Sequence, residues 1–377
     1  MTRGGAIMII FFLQAFAGGG VFARIPDIQL RLNLSEYMLG VALTFGALGG
    51  LISIVFAGRL VASLGTRQIL LIGVPILAAT QAALGFNTSI FLLFPLLLLA
   101  GISFSVTNVA MNVEADRVES TDGKRIMNRC HGMWSAGMLL AALVGVGARA
   151  LPVSPGLHLG LVFPVITVLV LILLWPMVAA PRAADDKSDS RGVALPSRRT
   201  LLLMLFGLSA SFAQSSTQNW SVIYMRDSFG APDWVDTLTL PAFLIAMTLG
   251  RMFADGWITR FGASRVSFVL TFLGLAGSVA VVAAPTLWVA LAGFAFIGIG
   301  TAVQFPLMIT AAARSSARQA AESVAAVIFA TALVMMVAPA LMGWVAETEG
   351  MRLAFALSIP PFLITLVLVK MVTAKPD

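Results

Sequence analysis

The chain is built from apolar stretches of about 20 residues, the length that a helix needs to cross the hydrocarbon core of a bilayer. Only 11% of the 377 residues are charged, and 59% are hydrophobic. A soluble domain carries about 25% charged residues. Because too little polar surface remains to face water, a soluble enzyme with one buried core is excluded. The sequence predicts an all-α polytopic membrane protein.

Charges and Gly/Pro clusters divide the chain into twelve predicted transmembrane helices, numbered spans 1 to 12. Two of the turns between them, Asn87–Ser89 and Pro285–Thr286, are very short. The predicted spans cover residues 6–26, 37–57, 69–87, 90–112, 131–150, 158–179, 200–224, 238–257, 264–284, 286–312, 322–345 and 351–372.

Lys and Arg residues are distributed unevenly over the predicted loops. With the N-terminus placed in the cytoplasm, all but five of the 24 Lys and Arg residues lie on the cytoplasmic side. The five exceptions are Arg24, Arg31, Arg149, Arg226 and Arg352. This positive-inside asymmetry predicts that both termini are cytoplasmic. It also explains the net charge of +7, so no nucleic-acid partner is expected.

One long polar stretch, Ala183–Ser197, interrupts the spans at the midpoint of the chain. Its composition is typical of a flexible linker. The sequence therefore predicts an N-terminal six-helix bundle over residues 1–182, a cytoplasmic linker over 183–199 and a C-terminal six-helix bundle over 200–377.

The two halves look alike when they are shifted by about 196–200 residues. Three pairs of residues carry this internal repeat: Gln14 and Gln214, Gly50 and Gly250, and Asn108 and Gln304. Two six-span repeats in the same orientation are a known transporter architecture, with solute bound between the halves near the midplane.

The loop Gly58–Arg67, which reads GRLVASLGTR, resembles the loop between spans 2 and 3 of major facilitator superfamily transporters. The usual acidic residue of that loop is replaced by Ala62, whereas the second-half counterpart, Gly250–Asp255, keeps an acid. The resemblance implies the twelve-helix major facilitator fold and transport by alternating access, with spans 1, 4, 7 and 10 lining a central cavity.

Further motifs resemble one bacterial branch of that family, the rhizopine-transport-like and fucose-permease-related carriers. The resemblance implies a bacterial inner membrane and proton-coupled transport of a sugar or cyclitol-like solute. The motifs are Arg24-Ile-Pro26, Asn112-Val-Glu114, His131-Gly-Met-Trp-Ser135, Asn219-Trp220-Ser221, Phe305-Pro306, and Pro339 with Gly343.

The chain departs from this branch at positions where the branch often has carboxylates. Asn108 stands where span 4 often has a glutamate, and Gln214 and Asn219 replace the acids of an E-x-x-x-x-D-W pattern in span 7. Phe22 stands at the place of a membrane carboxylate used by fucose permease. Because amides cannot titrate, we expect facilitated diffusion, or coupling weaker than in the relatives, with protons kept as an open partner.

The polar residues on the cavity spans are mostly amides, each of which offers hydrogen-bond donors and acceptors. They suit a neutral polyhydroxylated solute whose ring faces could stack on indoles. The alternative for each amide is a hydrogen bond between helices. The candidate substrate-binding residues are Gln14, Asn108, Asn112, Trp134, Gln214, Gln218, Asn219, Trp220, Gln304 and Phe305. Residues Gly18–Gly20 either loosen span 1 or allow close packing of helices.

A second set of ionisable residues lies near the ends of the predicted spans, where gating or coupling is expected. Arg24 and Asp27 form a predicted outer gate pair, Arg251 and Asp255 a predicted structural pair, and Glu322 is expected to contact Arg314 or Arg318. The full set is Arg24, Asp27, Glu114, His131, Arg251, Asp255 and Glu322.

Other functions find less support in the sequence. No nucleophile–base pair, phosphate loop or metal-ligand spacing occurs, so no enzyme activity, cofactor or metal is expected. The predicted partners are a small-molecule substrate and the lipid bilayer, and a monomer is expected. The leading alternative is an efflux carrier for amphipathic compounds. A non-transporting membrane receptor is a remote one, because the chain has no soluble sensory domain.

The charge asymmetry makes a prediction about topology. A cysteine introduced at Asp233 is expected to react with an impermeant maleimide added outside intact cells. A cysteine at Ser188 is expected to react only after the cells are opened. Both variants are made in a C130S background, since Cys130 is the single native cysteine. The opposite labelling pattern would reverse the orientation.

Overall fold

The computed structural model describes residues 2–123, 125–177, 179, 198–313 and 317–373, without the side chains of 317–322, 325 and 373. Helices are the only regular secondary structure in these ranges. Most of the predicted linker 183–199 falls outside them. The chain divides into two compact units, which are described separately. Unit 1 is Met1–Leu34 with Ala42–Ser190, and unit 2 is Ser35–Val41 with Arg191–Asp377.

The first half of the chain contains spans 1 to 6. Its helices are α1 (Arg3–Gly19), a 3-10 helix (Gly20–Arg24), α2 (Ile25–Arg31), α3 (Glu36–Ile54), α4 (Ala57–Leu64), α5 (Thr66–Phe86), α6 (Ile90–Asp122), α7 (Met127–Ala150) and α8 (Pro155–Leu174). Span 1 is the most buried of the six, and α1 packs mainly against α7 and α6.

The second half contains spans 7 to 12. Its helices are α9 (Arg198–Phe229), α10 (Asp233–Thr237), α11 (Thr239–Phe261), α12 (Ala263–Ala283), α13 (Leu287–Thr301), α14 (Gln304–Ala313), α15 (Ala317–Glu349), α16 (Met351–Ala356) and α17 (Ile359–Thr373). Span 7 is the most buried of this set, and α9 packs mainly against α15 and α17.

Within the described residues, 12 helical segments are long and apolar enough to cross a membrane. The predicted all-α fold with twelve spans is therefore confirmed. The two short turns are also present, since α5 ends at Phe86 before α6 begins at Ile90, and α12 ends at Ala283 before α13 begins at Leu287.

Four of the twelve helical segments are broken near a proline. In span 1, α1 ends within the predicted glycine run and a 3-10 helix leads to Pro26. In span 10, two turn residues separate α13 from α14, and Pro306 follows. In span 8 the break is at Leu238, before Pro241, and in span 12 it is at Leu357 and Ser358, before Pro360. A proline has no N–H to donate, and its ring clashes with the carbonyl group four residues earlier, which bends or breaks a helix. Gly19 and Gly20 also allow close packing, because an added Cβ would lie 3.0 Å from Ala141 Cβ and 3.1 Å from Leu159 Cδ2.

Two pairs of glycines show which residues of the two halves are equivalent. Gly65 and Gly262 are 197 residues apart, and both have a positive φ, of 85° and 84°, at the turn before the third span of each half. Gly101 and Gly298 have the same separation. A Cβ on Gly101 would overlap the carbonyl oxygen of Gly46, and one on Gly298 would overlap that of Phe243. The second and fourth spans of each half therefore approach at equivalent positions.

The close approach at Gly101 predicts a one-sided effect of adding a methyl group. Gly101→Ala is expected to lower the melting temperature of the purified protein in detergent by several degrees. The cause is overpacking against backbone, which costs about 1–3 kcal/mol. Gly46→Ala is the matched control on the other side of the contact, because its Cβ would lie 3.8 Å from Leu97 O, an ordinary contact. Equal melting temperatures for the two variants would contradict this packing.

Candidate functional site

Gln14 is fully buried in unit 1 and is hydrogen-bonded through both ends of its amide. Its Nε2 donates to Phe104 O at 3.2 Å and to Thr107 Oγ1 at 3.4 Å. Its Oε1 accepts a hydrogen bond from the Trp134 indole Nε1 at 3.0 Å. Gln14 thus joins spans 1, 4 and 5, as in the interhelical alternative given above, and has little capacity left for a solute.

Gln304 plays a similar part in unit 2, where it is also fully buried. Its Oε1 accepts from Ser209 Oγ at 2.8 Å, and its Nε2 donates to Thr271 Oγ1 at 3.3 Å and to Gly300 O at 3.1 Å. Ser209 in turn bonds Thr365, with 2.7 Å between the hydroxyl oxygens. The network joins spans 7, 9, 10 and 12 without an exposed polar atom on Gln304.

The predicted equivalence of Asn108 and Gln304 is off by one residue, and that of Gly50 and Gly250 is off by three. The separation of 197 residues that relates the matched glycines pairs Gln304 with Thr107. Thr107 is fully buried and bonded to Gln14, whereas Asn108 is only partly buried. A slip of one residue turns a side chain by about 100° around a helix, because a turn holds 3.6 residues. Asn108 therefore lies on a different face of its span from Gln304.

Asn108 and Asn112 form a polar pair on one face of span 4. Asn112 Nδ2 donates to Asn108 Oδ1 at 3.1 Å and to Asn108 O at 2.8 Å. Both side chains are partly exposed. Asn108 Nδ2 and Asn112 Oδ1 have no partner among the described residues, so this pair keeps a donor group and an acceptor for another molecule.

Span 7 carries an unusual polar segment, Gln214–Ser221, which is about two turns of helix long. Ser216 Oγ, Thr217 Oγ1 and Trp220 Nε1 are buried and have no hydrogen-bond partner in the described part of the chain. Gln214 and Gln218 stack four residues apart on one face, and neither amide bonds another described residue. By contrast, Asn219 Nδ2 donates to Ser215 O at 2.9 Å within its own helix.

The three candidate aromatic residues are placed differently. Trp134 is partly buried beside the core of unit 1, with its indole N–H held by Gln14. Trp220 is completely buried. Phe305 is 38% exposed at the start of α14. Trp134 and Phe305 therefore present ring surface, whereas Trp220 presents none.

The Arg24–Asp27 pair belongs to a larger buried cluster. Arg24 Nη1 donates to Asp27 Oδ2 at 3.0 Å, and Arg149 Nη1 donates to Asp27 Oδ1 at 2.6 Å. Arg24 also donates through Nε to His158 Nδ1 at 3.0 Å and through Nη2 to Val153 O at 2.8 Å. The cluster ties span 1 to the hairpin between spans 5 and 6.

Glu114 is fully buried near the C-terminal end of α6. Its Oε2 accepts a hydrogen bond of 2.5 Å from Thr66 Oγ1, at the start of α5. This contact joins the loop between spans 2 and 3, in which Ala62 replaces the usual acid, to span 4. His131 is exposed and packs edge-to-face against Phe11, with 5.6 Å between ring centroids.

The predicted pairing of Arg251 with Asp255 is wrong for this structure. Arg251 Nε donates instead to Ala302 O in span 10, at 3.4 Å, and Asp255 is exposed. No ion pair between the two is formed in the described residues. Span 8 packs tightly on span 10 through Gly250, which turns Arg251 toward that span. The side chains of Glu322 and Arg318 and all of Arg314 lie outside the described residues.

Several residues of these hydrogen-bond networks could not be predicted from the sequence. Thr107, Ser209, Thr271 and Thr365 complete the glutamine networks, but single hydroxyls in apolar helices give no distinctive signal. His158 gave none either, because its partner Arg24 is 134 residues away.

Comparison with known proteins identifies the family. The family model described as Major Facilitator Superfamily matches residues 7–245 and 205–377. The chain belongs to the major facilitator superfamily. The resemblance drawn from its motifs is thereby confirmed.

Curated relatives of this superfamily member are bacterial membrane proteins. The "Uncharacterized transporter y4wD" of Sinorhizobium fredii is 30% identical over 349 residues, which cover 92% of this chain and 91% of that protein. "Membrane protein MosC" of Rhizobium meliloti is 25% identical over 360 residues, which cover 92% of this chain and 84% of that protein.

Solved structures agree on the fold. The nucleoside transporter NupG matches with a TM-score of 0.77 at 14% identity, covering 100% of this chain and 100% of that one. A bacterial homologue of the human lysosomal transporter Spinster matches with a TM-score of 0.74 at 14% identity, covering 99% of this chain and 98% of that one. At these identities the likeness concerns the fold alone.

The network around Gln14 predicts a cost in stability. Gln14→Leu is expected to lower the melting temperature, because the Trp134 N–H loses its acceptor, and a buried unpaired donor costs about 1–3 kcal/mol. Asn108→Leu is the control, since Asn108 bonds only the nearby Asn112. Thermal unfolding of the purified variants checks this difference. Unchanged stability of Q14L would return Gln14 to the substrate-binding candidates.

Proposed function

We propose that this major facilitator protein is a carrier of a small neutral polar solute, of sugar or cyclitol type, that works by alternating access. The observation that carries the proposal is the polar segment Gln214–Ser221 of span 7. This segment lies in the most buried span of its half. Five of its side chains carry hydrogen-bonding groups with no partner in the described residues.

The buried polar groups of this segment carry an energetic cost. A buried polar atom without a partner costs about 1–3 kcal/mol, and lipid offers no replacement. Three such atoms on one stretch of helix, Ser216 Oγ, Thr217 Oγ1 and Trp220 Nε1, would impose a large penalty on a purely structural element. Hydrogen bonding to water and to a polar solute removes that penalty and gives the polar segment a function.

The chemistry of the polar segment favours a neutral ligand. Amides, hydroxyls and an indole N–H all hydrogen-bond without charge, and Gln214–Ser221 contains no ionisable residue. Such groups match the alternating donors and acceptors of a polyol. Gln214 and Gln218 are the proposed ligands in this half, with the exposed ring surface of Phe305 as an apolar contact.

Asn108 and Asn112 are the proposed ligands in the first half. Their mutual hydrogen bonds fix the orientation of the two amides, and the remaining donor group and acceptor are available to hydroxyl groups. Trp134 supplies partly exposed ring surface in the same half. Gln14 and Gln304 are left out of this set, because their amides are bonded to neighbouring spans.

Several further features belong to the same proposal. The carrier lies in a bacterial inner membrane as a monomer, with both termini cytoplasmic as the charge asymmetry predicts. It works by facilitated diffusion, because the proposed ligands do not titrate.

A panel of ligands tests the solute class. The melting temperature of the purified carrier is measured with sugars, cyclitols and cationic amphipathic drugs. We expect stabilisation by members of the first two classes. Stabilisation by the drugs alone would favour the efflux alternative and contradict the proposal.

Gln218→Leu tests the span 7 ligands in the same assay. We expect the half-saturating concentration of the stabilising compound to rise about 2–13-fold, as for the loss of one hydrogen bond of about 0.5–1.5 kcal/mol. The unliganded melting temperature should not fall, because Gln218 bonds no described residue. Ser211→Ala is the control, since Ser211 bonds only Gly207 O in its own helix.

A titratable group placed at position 108 tests the uncoupled mechanism. Asn108→Glu is expected to make transport pH-dependent, because a carboxylate beside Asn112 would gain and lose charge in the ligand set. Counterflow of the stabilising compound is measured in liposomes over a range of pH, with Asn108→Gln as the control. An active N108E variant with the wild-type pH profile would remove Asn108 from the proposed ligands.

A further inference from the structure

The break in span 10 exposes a backbone carbonyl group inside the bundle. Pro306 has no N–H, so it cannot donate to Ala302 O four residues earlier, as a helix would require. Ala302 and Val303 form the turn between α13 and α14. Both residues are buried, so the carbonyl group of Ala302 needs a partner other than bulk water.

Arg251 of span 8 provides that partner. Its Nε donates to Ala302 O at 3.4 Å, and no other hydrogen bond of Arg251 is formed in the described residues. Gly250 allows span 8 to come this close, because a Cβ there would lie 2.7 Å from Ala302 Cβ. A charged donor therefore replaces the N–H that Pro306 lacks.

Gln304 holds the other side of the same break. It is the first residue of α14, and its side-chain amide reaches back to Gly300 O in α13 at 3.1 Å. The same amide is fixed by Ser209 and Thr271. Gln304 thus connects the two helices of span 10, and Arg251 of span 8 bonds the turn between them.

Unit 1 offers an internal comparison. The separation of 197 residues places Val109 where unit 2 has Pro306. There α6 runs unbroken from Ile90 to Asp122. The equivalent of Arg251 is Ile54, which has no donor to offer. Proline and arginine therefore occur together in one half and are both missing from the other.

We propose that the break in span 10 is a joint of the carrier, and that Arg251 and Gln304 are positioning residues that hold it bent. The bend sets the direction of α14, which begins with Gln304 and Phe305. The inference rests on the proposed function only in giving the joint a role in presenting Phe305 to the solute. Its test needs no solute, so it can fail or succeed independently.

The experiment measures the bend directly. Spin labels are attached to cysteines replacing Phe296 on α13 and Thr310 on α14, both exposed, in a C130S background. Pulsed electron paramagnetic resonance then gives the distribution of distances between the labels in the full-length protein. Arg251→Leu and Gln304→Leu are expected to broaden or shift a distribution that is narrow in the parent. Arg260→Leu is the matched control, an exposed arginine on the same helix.

Pro306→Ala supplies the decisive comparison. It restores the missing N–H, so Ala302 O no longer needs Arg251, and Arg251→Leu is expected to have no further effect in this background. This rescue separates a joint from general structural damage. The role of Arg251 would be overturned if R251L changed the distance distribution equally with and without Pro306. It would also be overturned if R251L, made in the parent protein, left the distribution unchanged.

Two more variants keep the test informative if R251L does not fold. Arg251→Gln retains an N–H donor and is expected to give a distribution closer to that of the parent than Arg251→Met. Asp255→Asn addresses the ion pair expected from the sequence and should leave the distribution unchanged. A D255N distribution that matches the arginine variants would contradict the proposal.

Discussion

The hydrocarbon core of the membrane requires that every backbone N–H and C=O group find a partner inside the protein. Continuous helices meet this requirement by themselves, and most of the described spans do so. Where Pro306 interrupts span 10, Arg251 and Gln304 bond carbonyl groups at the break. The polar side chains of these spans therefore divide into those that complete the fold and those that remain available to a solute.

The five arginines that depart from the positive-inside pattern are also bonded inside the protein. Arg24 and Arg149 share Asp27, and Arg226 donates to Asp227. The other two bond carbonyl groups at the ends of equivalent helices: Arg31 at Leu84 and Gly85, and Arg352 at Ala284. Each of the five bonds a carboxylate or a carbonyl group, which gives its position a structural reason apart from the membrane orientation.

Most of the fold could be predicted from the sequence because span length and hydrophobicity depend on local composition. The site could be predicted only in part. Internal repeats located Gln304, but helix register must be known to one residue to decide which side chain points inward, and Asn108 was matched where Thr107 belongs. The same limit applies to Arg251, whose acid at i+4 suggested an ion pair, while its partner is a carbonyl group 51 residues away. Long-range contacts of this kind leave no local pattern.

The central claim is that this carrier binds its solute through neutral groups, with no titrating ligand. Solute-dependent proton movement in liposomes tests it most directly. The purified protein is reconstituted with a pH-sensitive dye inside the vesicles, and the compound that stabilises it is added outside. The account predicts that the solute equilibrates without a change in internal pH. Uptake of about one proton per solute molecule, lost on replacing Glu114 or His131, would contradict it.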